Sequence, residues 1–437
     1  MVDVLVVGAT GYTGHLIIRY LAVHRERDSF KLGIAARSKS KLDRLVSELN
    51  LSNVQSFTVD VSNDGSIKAL FDEARPTVVL STVGPYIKWG KPLARACAHN
   101  GVHYVDIAGE ASFVKDLIIE LDFLATKTKS ILIPSCGLDS VPSDAIAYLA
   151  AQTLRSALKT MHEHDLENVG IAESHTRIAV KGGMSGGTAS SVLNIVETLS
   201  RKDLMYSQTP DYLSPVKVRS PQRLKLVSSL PIVRPKRYGG IFFLIPYNIS
   251  VVQRTRGLFT LYADKFDKDG DSEDLPAYAE DYSYTESWAA SNRFTAFFFS
   301  LSIAMGGACL LLFPPLRWLA RKILPDPGHG PSDEALEKGF LKMHNISIST
   351  PLPTTGKPFV IESHLRGRGD PGYALTAVMA SEVALSLLTA QEELPLLARK
   401  GGVLTPMTAL GPILLKRLSA SGRFEIESGV RDDGTTE

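Results

Sequence analysis

A doubly wound parallel α/β sheet, followed by a second α+β domain carrying an apolar segment, is the fold this 437-residue chain predicts. Three observations carry that expectation. Residues 4–14 read Val-Leu-Val-Val-Gly-Ala-Thr-Gly-Tyr-Thr-Gly, an apolar β-branched run that ends in glycines at spacing three. Short apolar runs then alternate with amphipathic stretches as far as residue 134, the pattern of parallel strands joined by helices. Beyond residue 150 the composition shifts, and 23 residues at 294–316 carry no charge. A chain this long exceeds one ordinary core. Boundaries are expected at 1–150 for a dinucleotide-binding domain, 151–365 for a substrate domain that includes 294–316, and 366–437 for a helical return onto the first domain.

Bulk composition narrows the class. Apolar residues make up 44% and charged residues 22%, which describes a folded protein with ample core. A net charge of +2 gives no field that argues for nucleic acid. Cys97, Cys136 and Cys309 have no paired spacing, which fits a reducing compartment without disulfides. The first strand begins at residue 3 or 4, leaving no room for a leader, so a cytoplasmic-side protein that is not secreted is expected.

The first strand, 4–7, reads as covered on both faces. Gly8, Gly11 and Gly14 follow it, and Leu16, Ile17, Ile18 and Leu21 carry a helical pattern onward. Glycine permits the tight turn and lets backbone approach a pyrophosphate, while the helix start offers free N–H groups. Gly8, Thr10, Gly11, Tyr12, Thr13 and Gly14 are therefore the expected phosphate cradle of a Rossmann-type domain. The other reading is a tight strand-to-helix turn without ligand.

The second strand, 31–36, ends where an NAD-binding domain usually places an acid for the ribose hydroxyl. Arg37 stands there instead, followed by Ser38 and Lys41. A guanidinium with a neighbouring hydroxyl suits a 2′-phosphate, so NADP(H) is expected in preference to NAD(H). Lys39 reads as a solvated residue at a helix start. A helix at 42–49 leads to a third strand at 54–59. It ends at Asp60, which either meets the adenine amino group or forms a turn with Ser62 to Gly65.

A short helix at 67–73 precedes the fourth strand, 77–83, which closes in Gly84-Pro85-Tyr86. Carboxyl ends of parallel strands are where such sheets bind ligands. Val83, Gly84 and Pro85 are assigned to the cofactor, and Tyr86 faces the nicotinamide or the substrate. A helix at 93–100 and strands at 104–107 and 130–134 complete the sheet. Residues 135–144 then enter an Ala-rich helix. Ser, Asp and Pro142 there suit helix capping, while the alternative places Cys136, Asp139 or Ser140 in the nicotinamide pocket. Cys136 has no histidine paired with it in sequence and is disfavoured as a nucleophile. Tyr86, Asp139 and Ser140 are the candidate proton donors.

In the middle, 173–180 alternates as a strand, and the Gly/Ser/Thr-rich stretch 181–188 opens a helix at 189–199. That stretch reads equally as a cradle for an anion or carbonyl, a lid, or a cap. Residues 201–240 read as a surface excursion. His162 and His164 have no third ligand nearby, so no metal is expected. Residues 294–316 suit a shallow membrane-surface hairpin broken at Gly306-Gly307 and Pro314-Pro315, with Trp318, Arg321 and Lys322 at the lipid surface. A buried core or dimer element and a full span are the other readings. Strands at 346–349 and 359–365 and a helix at 373–388 follow, ahead of a polar tail from 431.

Several motifs together resemble one family. They are Gly8 to Gly14, Val83-Gly84-Pro85-Tyr86, Tyr104-Val105-Asp106-Ile107-Ala108-Gly109-Glu110, the stretch from Cys136 to Asp144, Gly369-Asp370-Pro371-Gly372-Tyr373-Ala374, and Gly401-Gly402-Val403-Leu404-Thr405-Pro406. They are similar to the saccharopine dehydrogenase-like oxidoreductases, a family with a lipid-droplet-associated animal member and bacterial trans-acting enoyl reductases. The resemblance implies an NAD(P)-binding first domain with a mixed α/β domain over the nicotinamide. It also implies reduction of a C=C or C=N bond in a lipid or specialised metabolite, at a membrane or lipid-droplet surface. Two rivals stand beside it. A saccharopine-type amino-acid dehydrogenase would need Arg254, Arg256, Arg366 and Arg368 for substrate carboxylates, and a lipid-droplet scaffold would bind nucleotide without turnover. The expected partners are a lipophilic small molecule and a lipid surface, with a homodimer as a further possibility.

Overall fold

Alternate residues of the first strand, β1 (Val2–Val7), point into two different cores. Val4 and Val6 pack with Ile17 and Leu21 on one face, and Leu5 and Val7 pack with Val79 and Leu93 on the other. A strand buried on both faces belongs in the middle of a parallel sheet. β1 is flanked in parallel by β2 (Leu32–Ala36), outside which lies β3 (Val54–Thr58), and on its other side by β4 (Pro76–Ser81). β5 (His103–Asp106) and β6 (Ile131–Ile133) continue beyond β4. The strand order thus reverses between β1 and β4, and their carboxyl ends frame a crevice. The computed structural model describes residues 1–161, 166–183, 185–219, 225–269, 275–323 and 329–431, so His162 and His164 lie outside the described residues.

The second sheet is mixed. It is built from β7 (Ile171–Lys181), β8 (Ser228–Ser229), β9 (Tyr238–Gly240), β10 (Tyr278–Ala289), β11 (Phe340–Pro351) and β12 (Pro358–Arg368). β7 and β10 run parallel, while β11 and β12 form a long antiparallel hairpin against β7. The C-terminal stretch contributes more than helices. Its strand β13 (Gly402–Val403) extends the first sheet beside β6, and β14 (Phe424–Val430) edges the second beside β12.

Between these strands the helix Ala374–Thr389 lies on the first sheet with Met379, Val383, Leu385 and Leu387 fully buried. Each such side chain stabilises the packing by roughly 2 kcal/mol. Glu382 from the same helix accepts hydrogen bonds from Tyr20 (2.5 Å) and from the Arg417 Nε (2.7 Å), with His24 Nε2 at 3.0 Å. Burial opposes its charge, but those contacts outweigh it and hold the carboxyl below its ordinary range.

The apolar segment differs from expectation. Helix Arg293–Leu312 runs unbroken through Gly306 and Gly307, and the bend falls at Phe313 instead. Two glycines cost about 2 kcal/mol of helix propensity, which Asn292 partly offsets by capping the amides of Phe294 and Thr295. Pro314 ends the helix, because the residue before proline avoids the helical region. A second helix, Pro314–Ile323, folds back, and Arg317 donates to the carbonyls of Leu310 (2.7 Å) and Leu311 (3.0 Å). Phe294, Phe298, Met305, Trp318 and Ile323 are exposed along this pair.

Candidate active site

One cavity of about 1330 Å³ runs from the β1/β4 crevice to the helix Arg293–Leu312. Its first end is made of backbone. Gly8 has a φ of 90°, and a side chain there would strike Thr82 Oγ1 at 2.6 Å. Thr82 ties the two strand ends together, donating from its amide to the Val7 carbonyl (2.8 Å) and from its hydroxyl to that of Gly8 (3.1 Å). Gly14 does not reach the cavity. It lets the helix Tyr12–Ala22 pack against the turn, where a Cβ would lie 2.4 Å from the Gly8 carbonyl oxygen.

Gly11 has an ordinary extended φ of −79° and stands as the N-cap of that helix without any side-chain cap, and no acidic residue occupies the first turn. An uncapped helix start lined by Thr10, Gly11, Tyr12 and Thr13 is a fit for a pyrophosphate. Tyr12 also reaches out of the turn. Its hydroxyl donates to the Pro331 carbonyl (2.5 Å), and its ring meets that of Tyr373 edge-on at 5.3 Å, closing the second domain over the first.

Arg37, Lys41 and Asp60 line the same end at the tips of β2 and β3. Arg37 is exposed and makes no hydrogen bond or ion pair among the described residues, so its guanidinium is available to a 2′-phosphate. Lys39 is paired with Asp43 at 3.0 Å. Ser38 does not line the cavity. It is the N-cap of the helix Lys39–Glu48, its hydroxyl accepting from the Lys41 amide at 3.4 Å. Asp60 forms the turn that its sequence allows, accepting from the Ser62 amide (3.0 Å) and hydroxyl (2.7 Å). Those bonds, helped by Arg37, lower its carboxyl below the usual range.

Further along, Val83, Gly84, Pro85 and Asp139 reach the cavity, and two of the candidate proton donors do not. Tyr86 turns into the core against Phe113. Its hydroxyl donates to the Ser81 carbonyl at 2.9 Å, and burial pushes its pKa far up. The cause is Glu110, which accepts the amides of Tyr86 (2.9 Å) and Ile87 (2.7 Å) and so fixes the start of the helix Tyr86–Asn100 with that ring inward. Ser140 is fully buried outside the cavity wall, and Cys136 is likewise buried with its thiol pushed well up.

Asp139 remains. Its carboxyl lies over Gly109, where a Cβ would come within 2.3 Å of Oδ2. It has no hydrogen-bond partner among the described residues, and burial raises it from 3.8 to about 6. Tyr247, which the sequence reading passed over, lines the cavity nearby with its hydroxyl bonded to Ser135 Oγ. The signal available for it was Pro246, a good first-turn residue of the helix Ile245–Asp269.

The Gly-rich stretch is a tied loop. Gly183 donates its amide to Asp370 Oδ2 (2.7 Å) and Ser185 donates to Tyr373 Oη (2.5 Å), so these donors are spent on the protein itself. The arginines proposed for substrate carboxylates lie elsewhere. Arg254 donates to the carbonyls of Leu213 and Val403, Arg256 to that of Glu280, and Arg366 and Arg368 pair with Glu425. None of the four lines the cavity, whose cationic side chains among the described residues are Arg37 and Lys41 at the nucleotide end. The far end is walled by Ile195, Leu199, Phe242, Trp288, Ile303 and Leu310. His344, Glu362 and His364 gather on the second sheet outside the cavity, with Glu362 already 2.7 Å from His344 and 3.5 Å from Arg431.

Comparison with known proteins agrees with this layout. Residues 4–133 match the saccharopine dehydrogenase NADP-binding domain. A Mycobacterium tuberculosis protein provisionally named a trans-acting enoyl reductase is 30% identical over 441 residues, 96% of each chain. The trans-acting enoyl reductase of Mycobacterium bovis is 28% identical over 439 residues, again 96% of each. In fold, the chain is similar to the L-Glu-forming saccharopine dehydrogenase of Saccharomyces cerevisiae, with a TM-score of 0.51 at 12% identity over 99% of this chain and 100% of that one. The chain belongs to the saccharopine dehydrogenase-like oxidoreductases and is an NADP(H)-binding member of that family, an NAD(P)-dependent oxidoreductase.

Proposed function

We propose that the enzyme reduces a C=C or C=N bond in a lipophilic substrate at a membrane or lipid-droplet surface. The observation that carries this reading is one continuous cavity, with a phosphate cradle at one end and, at the other, chiefly apolar walls with no cation among the described residues. An amino-acid substrate with several carboxylates would leave charges unpaired against those walls, a cost of several kcal/mol. The names of the mycobacterial relatives point the same way, toward an enoyl group.

NADPH supplies the hydride when bound. The chain's own part is to orient the reactants, exclude water and place a proton. Gly8 to Thr13 and Arg37 hold the nucleotide, and Val83 to Pro85 lie against its path toward Asp139. Asp139, which titrates at about 6, holds a proton at its carboxyl for the atom adjoining the carbon that is reduced. Phe242 and Trp288 supply aromatic wall to the far end of the same cavity.

The lipid surface is supported by the exposed apolar residues of the helices Arg293–Leu312 and Pro314–Ile323. The first is long enough to lie about 30 Å along an interface. Arg293 and Lys322 flank these faces, and the Lys322 ammonium sits 3.8 Å over the Trp318 ring, a pairing suited to an anionic headgroup layer.

A turnover assay tests the reading. Purified enzyme with NADPH is given medium-chain enoyl thioesters and cyclic imines in detergent, and separately saccharopine-type amino acids. Oxidation of NADPH by the first group alone is expected. Turnover only of the amino acids would overturn the assignment, and NADPH binding without any turnover would favour the scaffold.

A further inference from the structure

The helix Arg293–Leu312 has apolar residues on two faces with different surroundings. Phe294, Phe298 and Met305 are exposed, whereas Ile303, Gly306, Gly307 and Leu310 line the cavity. The wall between cavity and exterior is therefore one helix thick. Gly306 and Gly307 are exposed as well as lining the cavity, and a Cβ built on either meets nothing within 4 Å, so the cavity opens to the exterior beside them.

The helix is fastened in its first half and through the helix that follows it. Ser300 accepts from the Ile241 amide (2.7 Å) and donates to the Leu226 carbonyl (2.6 Å), and the returning helix is held by the ion pair of Arg321 with Glu197. Among the described residues, the side chains of 302–311 make no hydrogen bond to another element. The glycines cost helix propensity without relieving any contact or supplying a bend, so helix geometry does not account for them.

Resting on the reductase reading, we infer that Gly306 and Gly307 form a side portal. Through it the single long acyl chain of the substrate passes from the lipid layer into the cavity, leaving its reactive double bond near Asp139. The chain class follows from the walls at this end, which are chiefly apolar and carry no cation among the described residues, and from an opening beside two residues without side chains, which suits one alkyl chain. The substrate would then reach the nicotinamide without crossing water.

The test uses the full-length NADP-loaded enzyme with Gly306→Trp and Gly307→Trp. Two readouts are taken: turnover of a short-chain against a long-chain enoyl thioester, and binding of a fluorescent polyene fatty acid as chain probe. NADPH affinity, followed by nicotinamide fluorescence, reports that each variant is folded, and Gly306→Ala serves as a milder substitution. The portal predicts that long-chain kcat/KM and probe affinity fall at least about tenfold in the Trp variants, and that long-chain kcat/KM falls several-fold more than short-chain kcat/KM. Equal effects on both chain lengths, or unchanged probe affinity, would overturn it. Probe binding blocked by Trp in an enzyme that turns over neither thioester would support the portal while refuting the reductase reading.

Discussion

The two ends of the cavity are built from opposite materials. The nucleotide end is drawn from the strand ends of the first 85 residues and made chiefly of backbone: a left-handed Gly8, an uncapped helix start at Gly11, and the Arg37 guanidinium, unpaired among the described residues. The substrate end is assembled from side chains of distant segments, among them Phe242, Trp288, Ile303 and Leu310, and carries no cation among the described residues. Backbone amides and a helix dipole recognise a group common to many reactions, so their geometry is tightly set. Apolar side chains recognise shape, which loosely related chains can redraw.

The largest expected effect would break the first half of the comparison. Gly11→Val keeps an allowed backbone φ, sets its Cβ 3.2 Å from the Gly8 carbonyl oxygen and projects its side chain toward the place a pyrophosphate would take. Affinity for NADPH and NADH should both fall at least about a hundredfold, with the melting temperature reporting an intact fold. Retained binding would make the turn merely structural. Asp139→Asn comes next and probes where the two ends meet. Turnover should fall about 10²- to 10⁴-fold with NADPH affinity unchanged, and in the wild type it should decline about tenfold per pH step above about 6.

The same carboxyl carries a stability prediction of definite sign. Its folded pKa is raised from 3.8 to about 6, so its contribution favours the fold at low pH and is lost as pH rises through about 6. Asp139→Asn should therefore stabilise the protein at pH 8 by up to about 3 kcal/mol, read by denaturant unfolding. A smaller effect sharpens the nucleotide end. Arg37→Asp should weaken NADPH about a hundredfold and NADH less than about threefold, and equal losses would sink the 2′-phosphate assignment. Smallest for turnover is Phe298→Asp, which should leave soluble short-chain turnover unchanged and weaken vesicle cosedimentation roughly tenfold.

The same contrast explains what could be read before the structure. A β-branched run, three glycines and a misplaced arginine are local signals, and most of the residues they marked line the cavity. Ser38 and Gly14 stood beside that cluster but serve as a cap and a packing contact. Tyr86 was misread because its direction is decided by Glu110, which bonds across from the next strand end and leaves no trace in the local pattern. The helix Ala111–Thr128 and the strand β10 also went unread, for different reasons. The strand's burial does not alternate and its register with β7 shifts, whereas the helix, with Phe113, Leu117, Leu121 and Ala125 buried at four-residue spacing, did carry a local period. At Gly306-Gly307, propensity argued for a break, yet Asn292 and Pro314 set the helix ends. The arginines at 254, 256, 366 and 368 illustrate the converse, residues of the right chemistry that topology spends on carbonyls and surface pairs.

Direct hydride delivery into the apolar end is the central claim. NADPH deuterated at the transferable nicotinamide position would be incubated with the enzyme and a long-chain enoyl thioester in phosphatidylcholine–phosphatidylserine vesicles, and the product weighed by mass spectrometry. One deuterium on carbon in a saturated product is the predicted result. A product formed without deuterium, or no reduction while NADPH is bound, would contradict it.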